Sequence, residues 1–299
     1  MKIVSLLPSA TEIVYALGLG DQLAAVTHEC DYPPEVKAKP VITRSILPSG
    51  LDSAAIDAAV RGQLDQSHSL YTIDREMLAE IGPDLILTQQ LCDVCAVAYS
   101  DVVAAVRSLP HPGPRVVNLE PNTLDDVLQT ITLVGVMAGR EEKAAQVTAR
   151  LRERIEYVRQ TAANAAARPR TVLLEWIDPL FGGGHWDPEL VEIAGGVDSI
   201  GSLHQPSTQV SWEAVQNFAP EILVIAQCGF SVERSAQDMP RLEALLGYRD
   251  LPAVQNGRVY LVNGSDYFSR PGPRLVDSLE MLACLLHPEL FGPVQESPT

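Results

Sequence analysis

Cys92 and Cys95 stand in the stretch LTQQLCDVCAV as a C-x-x-C pair, a spacing that lets two thiolates reach one ion from a single turn. Two more of the five cysteines fall in comparable places, Cys30 in THECDYPP and Cys228 in IAQCGF, each just past an apolar run. Cys92 lies nine residues after Pro83 and Cys228 eight after Pro220, within two stretches, IGPDLILTQ and FAPEILVIAQ, that match in pattern. Four thiolates brought together, with His28 beside Cys30, would close a tetrahedral zinc site or hold an iron–sulfur cluster. The plainer reading is that a free cysteine is small and often buried. Cys284, on the apolar face of the final helical run, is read that way. For the other four both readings stay open, because the second C-x-x-C that would decide the matter is absent.

The remaining reactive side chains collect in the same kind of loop. His28 and Tyr32 share the HECDY loop with Cys30, and Gln89 precedes the cysteine pair. The stretch EWIDPLFGGGHW carries Trp176, Phe181, His185 and Trp186. Phe230 follows Cys228, and NGSDYFSRPGPR carries Tyr267, Phe268 and Arg270. A single histidine is more often structural than a ligand. Aromatics set among Gly and Pro suit a flat apolar ligand. Enzyme signatures are missing: there is no G-x-S-x-G elbow and no Walker A motif. GLG ends a helix instead of opening one, and GGGH lacks the Lys that holds phosphate, so neither reads as a nucleotide site.

The elements that must position these loops alternate. KIVSLL, LAAVT, PDLILT, PRVVNL, RTVLLEW, PEILVIA and GRVYLV read as strands. Helical patterns separate them, the first starting with a capping-box pairing of Ser9 and Glu12. Others run over LDSAAIDAAVRGQL, DREMLAEIG, Tyr99 to Leu109, PELVEIAGG, SWEAVQNF, MPRLEALLG and the closing GPRLVDSLEMLACLLHPELF. A long helical region from about Thr123 to Ala166 divides at Gly139, its second part strongly charged with a stripe of Val147, Leu151, Ile155 and Val158. Alternation of this kind means α/β units around parallel sheets, and ligands of such sheets sit beyond the carboxyl ends of the strands. The repetition of PDLIL/PEILV, PRVVNL/GRVYLV and ALGLGDQL/IAGGVDSI argues for two lobes of similar build, 1–121 and 168–299, joined by a helical segment over 122–167.

Bulk properties narrow the function. The 299 residues suit two lobes, and 46% hydrophobic content supplies a core. A formal net charge of −16 sets nucleic acid aside. No apolar run approaches the ~18 residues of a membrane span. The short run after Lys2 is not a signal peptide, so the chain as it stands is expected in the cytoplasm, or in the periplasm if a leader has been removed.

The opening IVSLLPSATEIVYALGLGDQLAAVTHECDYPPE, the strands GPDLILTQ and APEILVIA, EIAGGVDSI and the late SRPGPRLVDSLEMLA resemble the cobalamin-binding and ferric-siderophore-binding proteins of ABC importers over roughly residues 2 to 290. The likeness is nearest to the cobalamin-binding branch, where Tyr32 matches an aromatic that packs on the corrinoid. This resemblance implies two Rossmann-like lobes with parallel sheets, joined by one long backbone helix near Glu141 to Ala163. It implies no catalysis, a corrinoid or related tetrapyrrole held in the cleft between lobes, and docking on an ABC permease. With the strand-end loops read as the cleft lining, the expected ligand residues are His28, Tyr32, Gln89, Trp176, Phe181, His185, Trp186, Phe230, Tyr267, Phe268 and Arg270. A cytoplasmic zinc or iron–sulfur protein using Cys30, Cys92, Cys95 and Cys228 is the alternative. Siderophore binding ranks third, because the loops offer chiefly Arg44, Arg270 and Arg274 for an anionic chelate.

Overall fold

A computed structural model of the chain describes residues 1–48, 50–67, 70–89, 99–107, 109 and 113–294, without the side chains of 64–67. Two compact units divide it: Met1–Pro121 with Asp126–Thr148, and Asn122–Asp125 with Ala149–Thr299.

In the first unit the strands β1 (Ile3–Ser5), β2 (Leu23–Ala25), β5 (Leu85–Thr88) and β6 (Arg115–Asn118) form a parallel sheet in the order β2-β1-β5-β6. Between them run α1 (Pro8–Ala16), α2 (Ser53–Ser67), α3 (Arg75–Ile81) and α4 (Tyr99–Arg107). A separate antiparallel pair, β3 (Thr43–Ser45) and β4 (Tyr71–Ile73), sits before α3. β1 and β5 are apolar throughout or nearly so because both faces are covered; Ile3, Val4, Leu85, Ile86 and Leu87 are all fully buried. Val4, Leu6, Ala25, Ile42, Leu78, Ile86 and Val102 meet in one cluster. Each such side chain contributes about 1.5–3 kcal/mol by leaving water.

The chain continues through α5 (Leu124–Ala138) and α6 (Glu141–Ala162). Gly139, at φ +65°, makes the break between them, in a left-handed conformation that other residues adopt at a cost. α6 has 22 residues and so runs roughly 33 Å. It buries Ala144, Thr148, Leu151, Ile155, Val158 and Ala162, a stripe at alternating spacings of four and three. Arg154 on this helix holds Glu280 with two hydrogen bonds, of 2.8 and 2.6 Å, and Asp277 at 2.5 Å.

The second unit contains β7 (Thr171–Trp176), β8 (Phe181–Gly182), β9 (Gly184–His185), α7 (Asp187–Ile193), β10 (Ser202–Leu203), α8 (Trp212–Phe218) and β11 (Ile222–Ile225). It ends with α9 (Val232–Glu243), α10 (Pro252–Gln255), β12 (Val259–Leu261), α11 (Leu275–Leu286) and α12 (Pro288–Phe291). Its sheet has the order β12-β11-β7-β8, parallel except for β8, which runs antiparallel to β7. The sequence repetition has a structural counterpart: β5 pairs with β6 as β11 pairs with β12, each next to the first strand of its unit. In both sheets the strand order reverses direction beside that first strand, which is where open α/β sheets receive ligands.

Two local expectations need correction, and one strand was not anticipated. α1 starts at Pro8 with Leu7 as its cap, so Ser9 and Glu12 are buried inside the helix and form no capping box. Proline's fixed φ starts the helix one residue ahead of the serine. The helix expected over MPRLEALLG instead spans Val232–Glu243, capped by Ser231, with Pro240 tolerated in its last turn. The β3 strand gave no signal, because TRS is short and polar and is ordered by its partner.

Candidate functional site

The strand-end loops of the first unit place His28, Cys30 and Tyr32 together. Cys30 turns back on the start of α1: its Sγ is 3.1 Å from Thr11 Oγ1 and 3.5 Å from Thr27 Oγ1. Thr11 donates to Ser5 Oγ at 2.8 Å, and Ser5 donates to the Leu7 carbonyl at 2.9 Å. With each hydroxyl proton already committed, the thiol is the donor to Thr11. That bonding suits a packed thiol.

His28 is anchored from β3, with Nδ1 2.8 Å from Thr43 Oγ1. Its ring lies 5.4 Å from the Tyr71 ring, and Tyr71 donates to Glu29 at 3.4 Å. Tyr71 and Thr43 escaped the sequence reading because an antiparallel strand pair 15 and more residues away brings them in. Tyr32 is 44% exposed, whereas Gln89, at the end of β5, is buried. Cys92 and Cys95 lie outside the described residues.

The second unit supplies most of the aromatics. Trp176 ends β7; its indole donates to the Asp178 carbonyl at 3.1 Å and its rings lie 5.0 Å from Phe230. The Arg234 guanidinium covers the Phe230 ring at 4.2 Å, a cation–π contact that fixes the ledge from behind. Arg234 also pairs with Asp238 at 3.3 Å, and Arg241 bonds Asp178 at 2.5 Å. Both cations therefore already face carboxylates.

The loop after β12 joins this group. Ser265 N–H donates to the Phe230 carbonyl at 3.1 Å, and Trp186 donates to the Phe268 carbonyl at 2.9 Å. Trp186 and Phe268 are 5% and 2% exposed, so they pack beneath the surface, while Trp176, Phe181, His185 and Tyr267 are half-buried. Arg270 is also buried and reaches Ser265 Oγ at 3.5 Å. Arg274 lies 5.4 Å from the Tyr267 ring.

Two carboxyl groups, Asp187 buried and Glu175 half-buried, organise the GGGHW turn. Glu175 accepts from Gly184 N–H at 2.7 Å and from Ser207 Oγ at 2.6 Å. Asp187, 2% exposed, hydrogen-bonds Glu175 and leaves Oδ1 without a partner. A carboxyl group buried beside another carboxylate favours its protonated form. Burial first, then Glu175, Cys228 and Asp198, push the Asp187 carboxyl well above its ordinary range. The glycines are there for space, not for phosphate: a Cβ at Gly184 would fall 2.2 Å from the Ser207 nitrogen. Asp187 could not be picked out in the sequence, since burial and the neighbouring Glu175 give it its character.

Among the described residues no group of three His, Cys, Asp or Glu side chains could hold a metal ion. Cys30 belongs to the first unit, and Cys228, half-buried with its N–H on the Glu175 carbonyl, to the second. Zinc and an iron–sulfur cluster gain no support among the described residues.

Two α/β units with parallel sheets and aromatic strand-end loops define a two-lobed binding protein. The chain belongs to the periplasmic binding protein family, whose sequence pattern it matches over residues 3–265. Members of that family are non-enzymatic substrate-binding proteins of ABC importers, found in the periplasm or as lipoproteins outside the cytoplasm. The chain is similar to the vitamin B12-binding protein of Vibrio cholerae serotype O1, with 27% identity over 95% of this chain and 88% of that one. The crystal structure of a Vibrio cholerae periplasmic vitamin B12 binding protein superposes with a TM-score of 0.68 at 25% identity, covering 95% of this chain and 96% of the other. A possible iron-binding periplasmic protein of Staphylococcus epidermidis shares the fold, with a TM-score of 0.73 at 22% identity over 96% and 98% of the two chains. No helix among the described residues is long and apolar enough to cross a membrane.

Proposed function

We propose that this protein binds a corrinoid, cobalamin itself or a close relative, and presents it to an ABC permease outside the cytoplasm. The observation that carries the reading is the end-to-end similarity to vitamin B12-binding proteins, 27% identity over 95% of the chain. In this reading Tyr32, Trp176, Phe181, His185 and Tyr267 touch the ligand, with His28 and Gln89 beside Tyr32 in the first unit. Phe230, Trp186, Phe268 and Arg270 hold those contacts from behind.

The electrostatics favour a corrinoid over an anionic chelate. A corrin ring is rimmed by amides, which ask for hydrogen-bonding partners and apolar walls. A siderophore or a haem brings carboxylates or other anions, which ask for open cations. Arg234 and Arg241 are already paired with Asp238 and Asp178. The chain as a whole carries −16.

Titration of the protein with cobalamin, read by quenching of tryptophan fluorescence, tests the proposal. Saturation at one ligand per chain is the expected result. A linear, unsaturated response up to high micromolar cobalamin would remove it.

A further inference from the structure

His185 combines features that a structural histidine does not need together. Its backbone is left-handed, at φ +49°, a region that a non-glycine residue enters at an energetic cost. Bonds on both sides hold it there: His185 N–H donates to the Gln205 carbonyl at 2.6 Å, and His204 N–H donates to the His185 carbonyl at 2.8 Å. The ring is stacked on Trp186, with centroids 5.4 Å apart and planes 26° from parallel. Trp186 is itself pinned through its indole N–H to Phe268. The ring plane is therefore fixed.

The two ring nitrogens are in different states. Nδ1 lies 3.1 Å from Asn122 Oδ1, an amide oxygen that can only accept, so Nδ1 carries the proton. Nε2 then holds a lone pair. Among the described residues it has no hydrogen-bond partner, and it is not among the buried polar atoms left without one. Burial holds the imidazole below its ordinary histidine range, against the opposing pull of Glu175, so the ring is neutral at neutral pH. A neutral imidazole with one nitrogen clamped by a side-chain oxygen and the other open is the arrangement of a metal-ligating histidine. The protein holds no metal ligands of its own around it among the described residues. A metal bound at Nε2 would then be one that the ligand carries.

We propose that His185 Nε2 is an axial donor to the cobalt of the bound corrinoid. This rests on the corrinoid reading above and names the residue that would read the metal. The step is a ligand exchange. In an aquo-corrinoid the cobalt–oxygen bond breaks and water leaves with the electron pair it had donated. The Nε2 lone pair forms the cobalt–nitrogen bond. Oxidation state does not change and no proton moves. Asn122 is a positioning residue, since it acts on the metal only through the ring.

The experiment compares aquocobalamin with cyanocobalamin, whose upper position is closed by cyanide, on the full chain. Absorption spectra and affinities are recorded for the wild type, His185→Asn and Asn122→Ala. Asparagine is chosen at 185 because it tolerates the left-handed backbone while removing the imidazole. The wild type should convert aquocobalamin to a nitrogen-ligated spectrum. His185→Asn should leave the water-ligated spectrum and lose about tenfold or more in affinity for the aquo form relative to the cyano form. Asn122→Ala should keep the nitrogen-ligated spectrum but reach it with weaker affinity. A water-ligated spectrum with wild-type protein, or the same nitrogen-ligated spectrum with His185→Asn, overturns the assignment and leaves corrinoid binding standing. Failure of the wild type to bind either form overturns both.

Discussion

Replacing Asp187 by Asn should flatten the dependence of stability on pH. Asp187 opens α7, is 2% exposed, and faces Glu175, Asp198 and Cys228. Its carboxyl is raised in the folded state above its value in the unfolded chain. The folded protein then binds more protons than the unfolded one, so stability is full below the ordinary Asp range, near pH ~3.9, and falls as pH rises toward the folded-state value. While the two states differ by one proton, stability erodes by about 1.4 kcal/mol per pH unit. At roughly 2–4 °C per kcal/mol for a chain of this size, that is a fall in Tm of roughly 3–6 °C per pH unit. Asparagine keeps an N–H donor for Glu175 and cannot titrate. His185 works in the opposite sense: its lowered value makes stability fall as pH drops below the ordinary histidine range. The difference between wild type and Asp187→Asn cancels that contribution. Urea unfolding of both proteins at intervals from about pH 4 to about pH 8 supplies the test. The two curves should converge at the acid end and separate with rising pH, the variant becoming the more stable. Parallel curves, or a constant deficit in the variant, would show that Asp187 holds no proton in the fold.

Trp176→Ala should weaken cobalamin binding by about 10- to 100-fold, the cost of a central aromatic contact, with little change in Tm; an unchanged Kd by titration would take Trp176 out of the site. Gly184→Ala should destabilise the second unit by about 1–3 kcal/mol, because the added methyl meets backbone at Pro206 and Ser207, and thermal unfolding at wild-type Tm would contradict it. Cys30→Ser should leave the metal content of purified protein unchanged, and loss of a stoichiometric metal by elemental analysis would revive the cysteine-site reading.

The sequence was most legible where local pattern and tertiary role agree. Apolar runs such as PDLILT and PEILVIA became the central strands β5 and β11, and their repetition foretold two sheets of like order. Loop positions also placed the aromatics, since strand ends in parallel sheets leave few other places for Trp and Phe beside Gly and Pro. What stayed hidden depends on distant partners. Asn122, which sets the His185 tautomer, is 63 residues away from it. Arg234 owes its place to Phe230 and Asp238, and Thr43 to a three-residue strand that β4 orders. Capping also misled: Ser9 and Glu12 have the right spacing, but Pro8 starts the helix first.

The central claim is that this binding protein takes a corrinoid. Isothermal titration of the full chain with cobalamin, haem and a ferric hydroxamate, each alone and in competition, tests it most directly. The account predicts one cobalamin per chain, bound more tightly than either competitor and displaced by neither at equal concentration. Saturable binding of haem or the ferric chelate with no heat from cobalamin would contradict it.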